Sequence, residues 1–189
     1  MTFFDLIFLG LLVWVVGALG FAAVAAARRR PAVALGTLRV LGAVLLVYVA
    51  TVTVVAVCSP QRVFAVGEPR CFDDWCISVT GVRHGSAGTY TVDFLISSRM
   101  RRGPQRERDI VATLIDQDGR TYQARTDAND VPFDTRLDPG QSQAIERTFL
   151  ISGDARPVAL TITHSGIRPE LLIIASDESA FHKRAIVRF

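Results

Sequence analysis

Two long apolar runs close to the N-terminus constrain this chain more than any other feature. Residues 3–27, "FFDLIFLGLLVWVVGALGFAAVAAA", carry one charge, Asp5, at their edge, and residues 40–58 carry none. A bilayer core of about 30 Å needs roughly 20 apolar residues in a helix. Both runs meet that length, and the second lacks the polar alternation of a half-buried strand. The expected spans are about 3–27 and 38–58, which makes residues 1–58 a two-helix transmembrane anchor. The connecting loop, 28–37, holds Arg28, Arg29 and Arg30, and Arg39 follows it. Short arginine-rich loops stay in the cytoplasm. The N-terminus and everything after Cys58 are then extracytoplasmic. A cleaved signal peptide fits less well, because such peptides carry positive charge before the apolar stretch and "MTFFD" is acidic.

The anchor also explains the charge. Residues 59–189 carry 17 basic and 17 acidic side chains, so the net +3 belongs to the first 58 residues. Nucleic-acid binding would need a basic face on the folded domain, and no such partner is expected. The expected partners are the lipid bilayer and either an envelope protein or a second copy joined through the helices. Ala18, Ala22 and Ala26 recur at the spacing that lets membrane helices approach closely. Lys183 is the single lysine against 20 arginines, the bias of a GC-rich bacterial genome. The expected location is the bacterial cytoplasmic membrane, as a multi-pass protein.

Residues 59–70, "SPQRVFAVGEPR", read as a tether with one edge strand near Val63 to Val66. Residues 71–189 read as one extracytoplasmic β-sandwich domain. Tyr90, Val92, Phe94 and Ile96 alternate, as do Ile77 and Val79 with Val82 following. Asp118-Gly119 between two alternating runs marks a hairpin. Pro139-Gly140 marks a turn before the next strand. "RPVALTITHS", "ELLIIAS" and "AIVRF" supply further candidate strands, for seven to nine in all. The expected fold class is therefore membrane-anchored all-β: two transmembrane helices followed by an immunoglobulin-like sandwich.

The segments "LIDQDGRTYQA", "LDPGQSQAIERTFLI" and "PVALTIT" resemble the telokin-like, immunoglobulin-fold domains of unknown function found in bacterial membrane and surface proteins. The resemblance covers roughly residues 76–165. It implies a fold and no catalytic set.

"CFDDWC" at 71–76 is the remaining candidate site. An anchor followed by a sandwich is similar in layout to the copper subunit of respiratory oxidases. Copper needs two cysteines with histidine and methionine nearby. Here the first histidine after the pair is His84, and the only internal methionine is Met100. Zinc spacing is lacking as well. Outside the cytoplasm thiols pair, so Cys71–Cys76 is expected as a disulfide closing a local turn, with Cys58 as an alternative partner. That turn holds Asp73, Asp74 and Trp75, the last able to pack against the sandwich. With Arg99, Arg101 and Arg102 of "SRMRRG", these three make the candidate interaction surface. The aspartates at 116, 118, 127, 130, 134 and 138 lack calcium-loop spacing and read as turn residues. No nucleophile-and-base constellation stands out, and no cofactor, metal or catalytic residue is expected. The expected role is non-enzymatic, presenting the domain for protein binding or scaffolding at the envelope. The alternative is an extracytoplasmic sensor of a small ligand or cation.

Overall fold

The computed structural model describes residues 3–86, 88–125, 127, 130–151, 155–166, 169–174, 178–179 and 182–189, with the side chains of 169 and 170 left out. The chain divides into two compact units, one of residues 1–60 and 167–183 and the other of 61–166 and 184–189.

The first unit is built on two apolar helices, α1 (Phe3–Ala27) and α2 (Pro31–Cys58). The helix starts at Pro31 rather than near residue 38, so the connection shrinks from 28–37 to Arg28, Arg29 and Arg30. Proline suits the first turn of a helix, where its missing N–H is no loss. Arg29 takes a left-handed φ of 56°, and the Arg30 N–H closes back on the Ala25 carbonyl at 2.9 Å. On α1 the less exposed residues are Asp5, Phe8, Leu11, Val15, Ala18, Ala22 and Ala25. On α2 they include Ala34, Thr37, Leu41, Leu45, Tyr48, Val52 and Ala56. Steps of three and four define one seam per helix, the pattern of two helices packed along their length. Ala18 and Ala22 lie on that seam, and Ala26 falls off it because the repeat is 3.5 residues rather than 4. Outside the seams both helices stay apolar and exposed.

The second unit is a β-sandwich. Its strands are β1 (Val63–Ala65), β2 (Arg70–Phe72), β3 (Trp75–His84), β4 (Thr89–Ser98), β5 (Ile110–Asp116), β6 (Thr121–Arg125), β7 (Ser142–Leu150), β8 (Pro157–His164) and β9 (Ile186–Arg188). The order through both sheets is β1-β9-β8-β5-β6-β7-β4-β3-β2. Strand β6 joins the sheets. Its residues Thr121 to Gln123 pair with β5, and Ala124 and Arg125 pair with β7. The β1–β9 pair is parallel and the other ladders are antiparallel. Folding therefore starts at Gln61, so the expected tether of 59–70 contracts to Ser59 and Pro60, and β1 is structural. The described part of the expected strand "ELLIIAS" forms no strand of the sandwich. It opens as a 3-10 helix, Pro169–Leu172, in the helical unit. The domain expected over 71–189 therefore loses 167–183.

The core follows the alternation. Trp75, Ile77 and Val79 of β3, Val92, Phe94 and Ile96 of β4, and Ile145 and Phe149 of β7 face Ile110, Ala112 and Leu114 of β5 with Leu160 and Ile162 of β8. The step of three between Val79 and Val82 is a β-bulge, since Val79 pairs with Phe94 and Gly81 with Asp93. The extra residue shifts the parity. A Cβ at Gly81 would stand 3.1 Å from Asp93 Oδ2, so a side chain there would press on that carboxylate.

Candidate functional site

Strand directions gather the expected interaction residues at one end of the sandwich. Trp75 pairs with Ser98, and Ser97 pairs with Ser142. The β2–β3 turn, the crossing from β4 to β5 and the start of β7 therefore share that end. Cys71 and Cys76 face each other across β2 and β3 and are bonded, with Cα atoms 3.9 Å apart. Cys58 is free. The turn between the cysteines is tight enough to put Asp73 in the left-handed region, φ 54°. The Arg99 N–H donates to the Asp74 carbonyl at 2.7 Å. The acidic turn and the arginine segment are thus adjacent, with Asp73, Asp74, Arg99, Arg101 and Arg102 all exposed.

Trp75 does not belong to that surface. It is 0% exposed and lies in the core. Its place on β3 gives it the inward parity of Ile77 and Val79, so the ring turns under the disulfide rather than outward. Its indole N–H is buried without an acceptor among the described residues. Beside it stands a polar group the sequence did not announce. Arg70, 5% exposed, reaches from β2 and donates through Nη1 to the Ile162 carbonyl on the opposite sheet. Its guanidinium lies 4.7 Å from the Phe72 ring centre. The Phe72 ring meets His164 edge-on at 4.6 Å, and His164 Nε2 donates to Glu107 Oε1 at 2.8 Å. A buried charge persists only when so partnered, and these contacts tie the sheets together at this end.

A cleft of about 360 Å³ opens where the two sheets part. Because β6 leaves β5 for β7, β5 has no ladder partner on the β6 side before Thr113, and β7 has none before Thr148, among the described residues. The lining includes Val111 and Ala112 of β5, Gln123 of β6, Phe133 from the loop and Arg147 of β7. Arg147 is the second buried arginine. It donates to the Val131 carbonyl at 2.6 Å and the Glu146 carbonyl at 2.7 Å. Its guanidinium lies 4.6 Å from the Phe133 ring centre. Burial pushes it below the usual arginine range, partly offset by the charge of Asp130. The signal for it was present, because Arg147 occupies an inward position between Ile145 and Phe149. A charge in a core register marks a partnered or functional group.

The aspartates behave as turn residues. Asp116 Oδ1 accepts from the backbone N–H groups of Asp118 and Arg120 at 2.9 and 2.8 Å, and Oδ2 accepts from the Tyr122 hydroxyl at 2.9 Å. Asp134 pairs with Arg106, and Asp130 accepts from the Asp127 N–H at 2.9 Å. Among the described residues, no group of three His, Cys, Asp or Glu is placed to hold a metal.

The folded parts define a class: a pair of apolar helices joined to a two-sheet β-sandwich with one disulfide. No family model matches the chain, and no curated protein does. Solved structures similar to it include the secreted protein MPT63 from Mycobacterium tuberculosis, at 12% identity and TM-score 0.46 over 57% of this chain and 92% of that one. An uncharacterised β-sandwich protein from Clostridium difficile 630 is similar at 10% identity and TM-score 0.43, over 69% of this chain and 95% of that one. The yjhA protein from Bacillus subtilis is similar at 10% identity and TM-score 0.38, over 67% and 98%. These scores are low, and the sandwich rests on the strand ladders themselves.

Proposed function

We propose that this chain is a bacterial cytoplasmic-membrane protein whose helices span the bilayer and present an extracytoplasmic, immunoglobulin-like sandwich that binds an envelope protein. The arginine turn at 28–30 lies in the cytoplasm on this reading. The helix surfaces support the anchor, being apolar outside the packing seam. So do the hydroxyls of α2. Thr37, Thr51 and Thr53 donate to the carbonyls of Val33, Val47 and Val49 at 3.0, 2.8 and 2.9 Å. Polar groups in lipid need partners from within the protein. The closed Cys71–Cys76 bond fits an oxidising compartment.

One observation carries the binding role: the cleft between β5 and β7, where strand edges lack ladder partners among the described residues. Unpaired strand edges are sites where another chain adds an extended segment. Phe133 offers that segment an apolar floor, and Gln123 offers polar contact at its wall. The immunoglobulin-like assignment rests on the turn motifs around Asp116 and Pro139 and the two-sheet layout.

Photoreactive residues at Val111 and Gln123 in whole cells test the role. The expected result is a discrete protein adduct from both positions and none from Asp118 at the opposite end. Equal yields from all three, or none from the cleft, would sink it. A membrane-impermeant thiol reagent on intact cells tests the orientation. Cys71 and Cys76 should label only after reduction, and labelling that waits for lysis reverses the topology.

A further inference from the structure

The segment that leaves the sandwich after β8 carries an aliphatic run that the sandwich does not take up. Leu171, Leu172, Ile173 and Ile174 are consecutive, and charged residues flank them at Arg168, Glu170, Asp177 and Glu178. They belong to the compact unit of α1 and α2, not to the sandwich. The Tyr48 hydroxyl donates to the Leu172 carbonyl at 2.7 Å. Tyr48 lies on the packing seam of α2, ten residues before its end at Cys58. At 1.5 Å per residue, that is about 15 Å along the helix. The helix has 28 residues, about 42 Å, against a hydrocarbon layer of about 30 Å. Dividing the excess equally between the two ends puts Tyr48 about 9 Å inside the apolar layer.

We propose that Leu171–Ile174 inserts into the outer leaflet beside α2 and takes lipid acyl chains as its partner, with Tyr48 holding it at depth. This rests on the membrane reading above. A segment with only one 3-10 turn survives in lipid only where its remaining backbone groups find partners in the protein. The bond from Tyr48 supplies one such partner, at the Leu172 carbonyl, and gives the hydroxyl its acceptor. Leu172 remains 50% exposed, so its side chain is open to the surroundings. In water a run of four aliphatic residues flanked by charges would bury itself in the sandwich, as the alternating strands do. The charged flanks fit an interfacial crossing, where polar residues stay with the headgroups.

Site-directed spin labelling of the full chain tests this, in vesicles of phosphatidylethanolamine and phosphatidylglycerol and in a Cys58→Ser background that leaves the disulfide closed. Labels go on Leu172→Cys, Leu46→Cys on the lipid face of α2, and Asp118→Cys on the sandwich. At 46 and 172, collisions with oxygen should exceed those with a water-soluble nickel chelate, with the reverse at 118. Lipid exposure at 46 with water exposure at 172 overturns the insertion alone. Water exposure at 46 overturns the anchor itself. Tyr48→Phe should move the label at 172 toward water, and an unchanged depth overturns the anchoring role of Tyr48.

Discussion

Two tight turns of the sandwich are closed by different means. At one end, the β5–β6 turn is closed by Asp116, a carboxylate 1% exposed, which accepts from two backbone N–H groups and a tyrosine hydroxyl. At the other, the β2–β3 turn is closed by the Cys71–Cys76 bond. The first consumes its acid to hold the backbone. The second leaves Asp73 and Asp74 exposed, next to the exposed Arg99, Arg101 and Arg102. Covalent closure frees the polar side chains of a turn, whereas hydrogen-bonded closure occupies them. This exposure is the ground for assigning the proposed interaction surface to the disulfide end.

The strongest way to break the comparison is to remove what lies under the disulfide. Trp75→Ala should cost about 3–5 kcal/mol, the usual range for a buried tryptophan. Trp75→Phe should cost far less, because it also removes the buried N–H that lacks an acceptor. Thermal unfolding of the full chain in detergent, followed by circular dichroism, separates the two. Equal losses would mean that the indole N–H has an acceptor after all. The double change Cys71→Ser, Cys76→Ser should cost about 2 kcal/mol, since the loop it opens is short and stabilisation grows with loop length. Measured in the same way, a loss as large as that of Trp75→Ala would mean that the bond holds the core as well as the turn.

Much of this was legible in the sequence, and the failures share a cause. Alternation placed β3, β4, β5, β7 and β8, because one face of each strand is buried and a period of two is hard to mistake. The Cys71–Cys76 pairing followed from compartment and proximity. Trp75 was expected both to pack against the sandwich and to share the interaction surface; only the packing holds, because its parity with Ile77 and Val79 decides where the ring points. "ELLIIAS" looked like a strand because a short apolar run does not reveal which partner buries it. The inward place of Arg147 between Ile145 and Phe149 did signal a buried charge, whereas Arg70 escapes a reading by spacing because its acceptor is the Ile162 carbonyl on the opposite sheet. The cleft was invisible for the same reason, since it depends on β6 dividing its pairing between two sheets.

A smaller effect separates the turns by pH. Burial disfavours the charged form of Asp116, yet the Arg120 and Asp118 N–H groups, the Tyr122 hydroxyl and the Arg120 charge outweigh it and hold its pKa below the ordinary value. A folded pKa below the unfolded one means that the unfolded chain takes up protons first as pH falls. Stability from this turn is then complete above the ordinary carboxylate pKa of about 3.9 and is lost as pH drops through the lower folded value. Asp116→Asn keeps Oδ1 as an acceptor for both N–H groups, so it should lower the melting temperature at pH 7 less than opening the disulfide does. It should also flatten the acid side of the stability curve. Unfolding midpoints between pH 3 and 7 decide this, and an unchanged acid limb would remove Asp116 as the closure of the turn.

The smallest effect concerns backbone strain, present in both turns and relieved in one. Gly119 sits at φ 78° with nothing within 4 Å of where a Cβ would project. Gly119→Ala therefore suffers only from its conformation, about 1 kcal/mol. Asp73 holds a similar φ of 54° with a side chain attached. Aspartate is among the few residues other than glycine that take up this conformation in a turn. Asp73→Gly removes that strain while loosening the unfolded chain, so the two effects nearly cancel and stability should change by less than about 1 kcal/mol. The variant keeps the fold and deletes one exposed carboxylate, which makes it the cleanest probe of the disulfide end. If it melts like the parent and binds envelope proteins less well, Asp73 serves a partner. If it melts several degrees lower, the aspartate is a structural part of the turn, and the two turns are closed more alike than their chemistry implies.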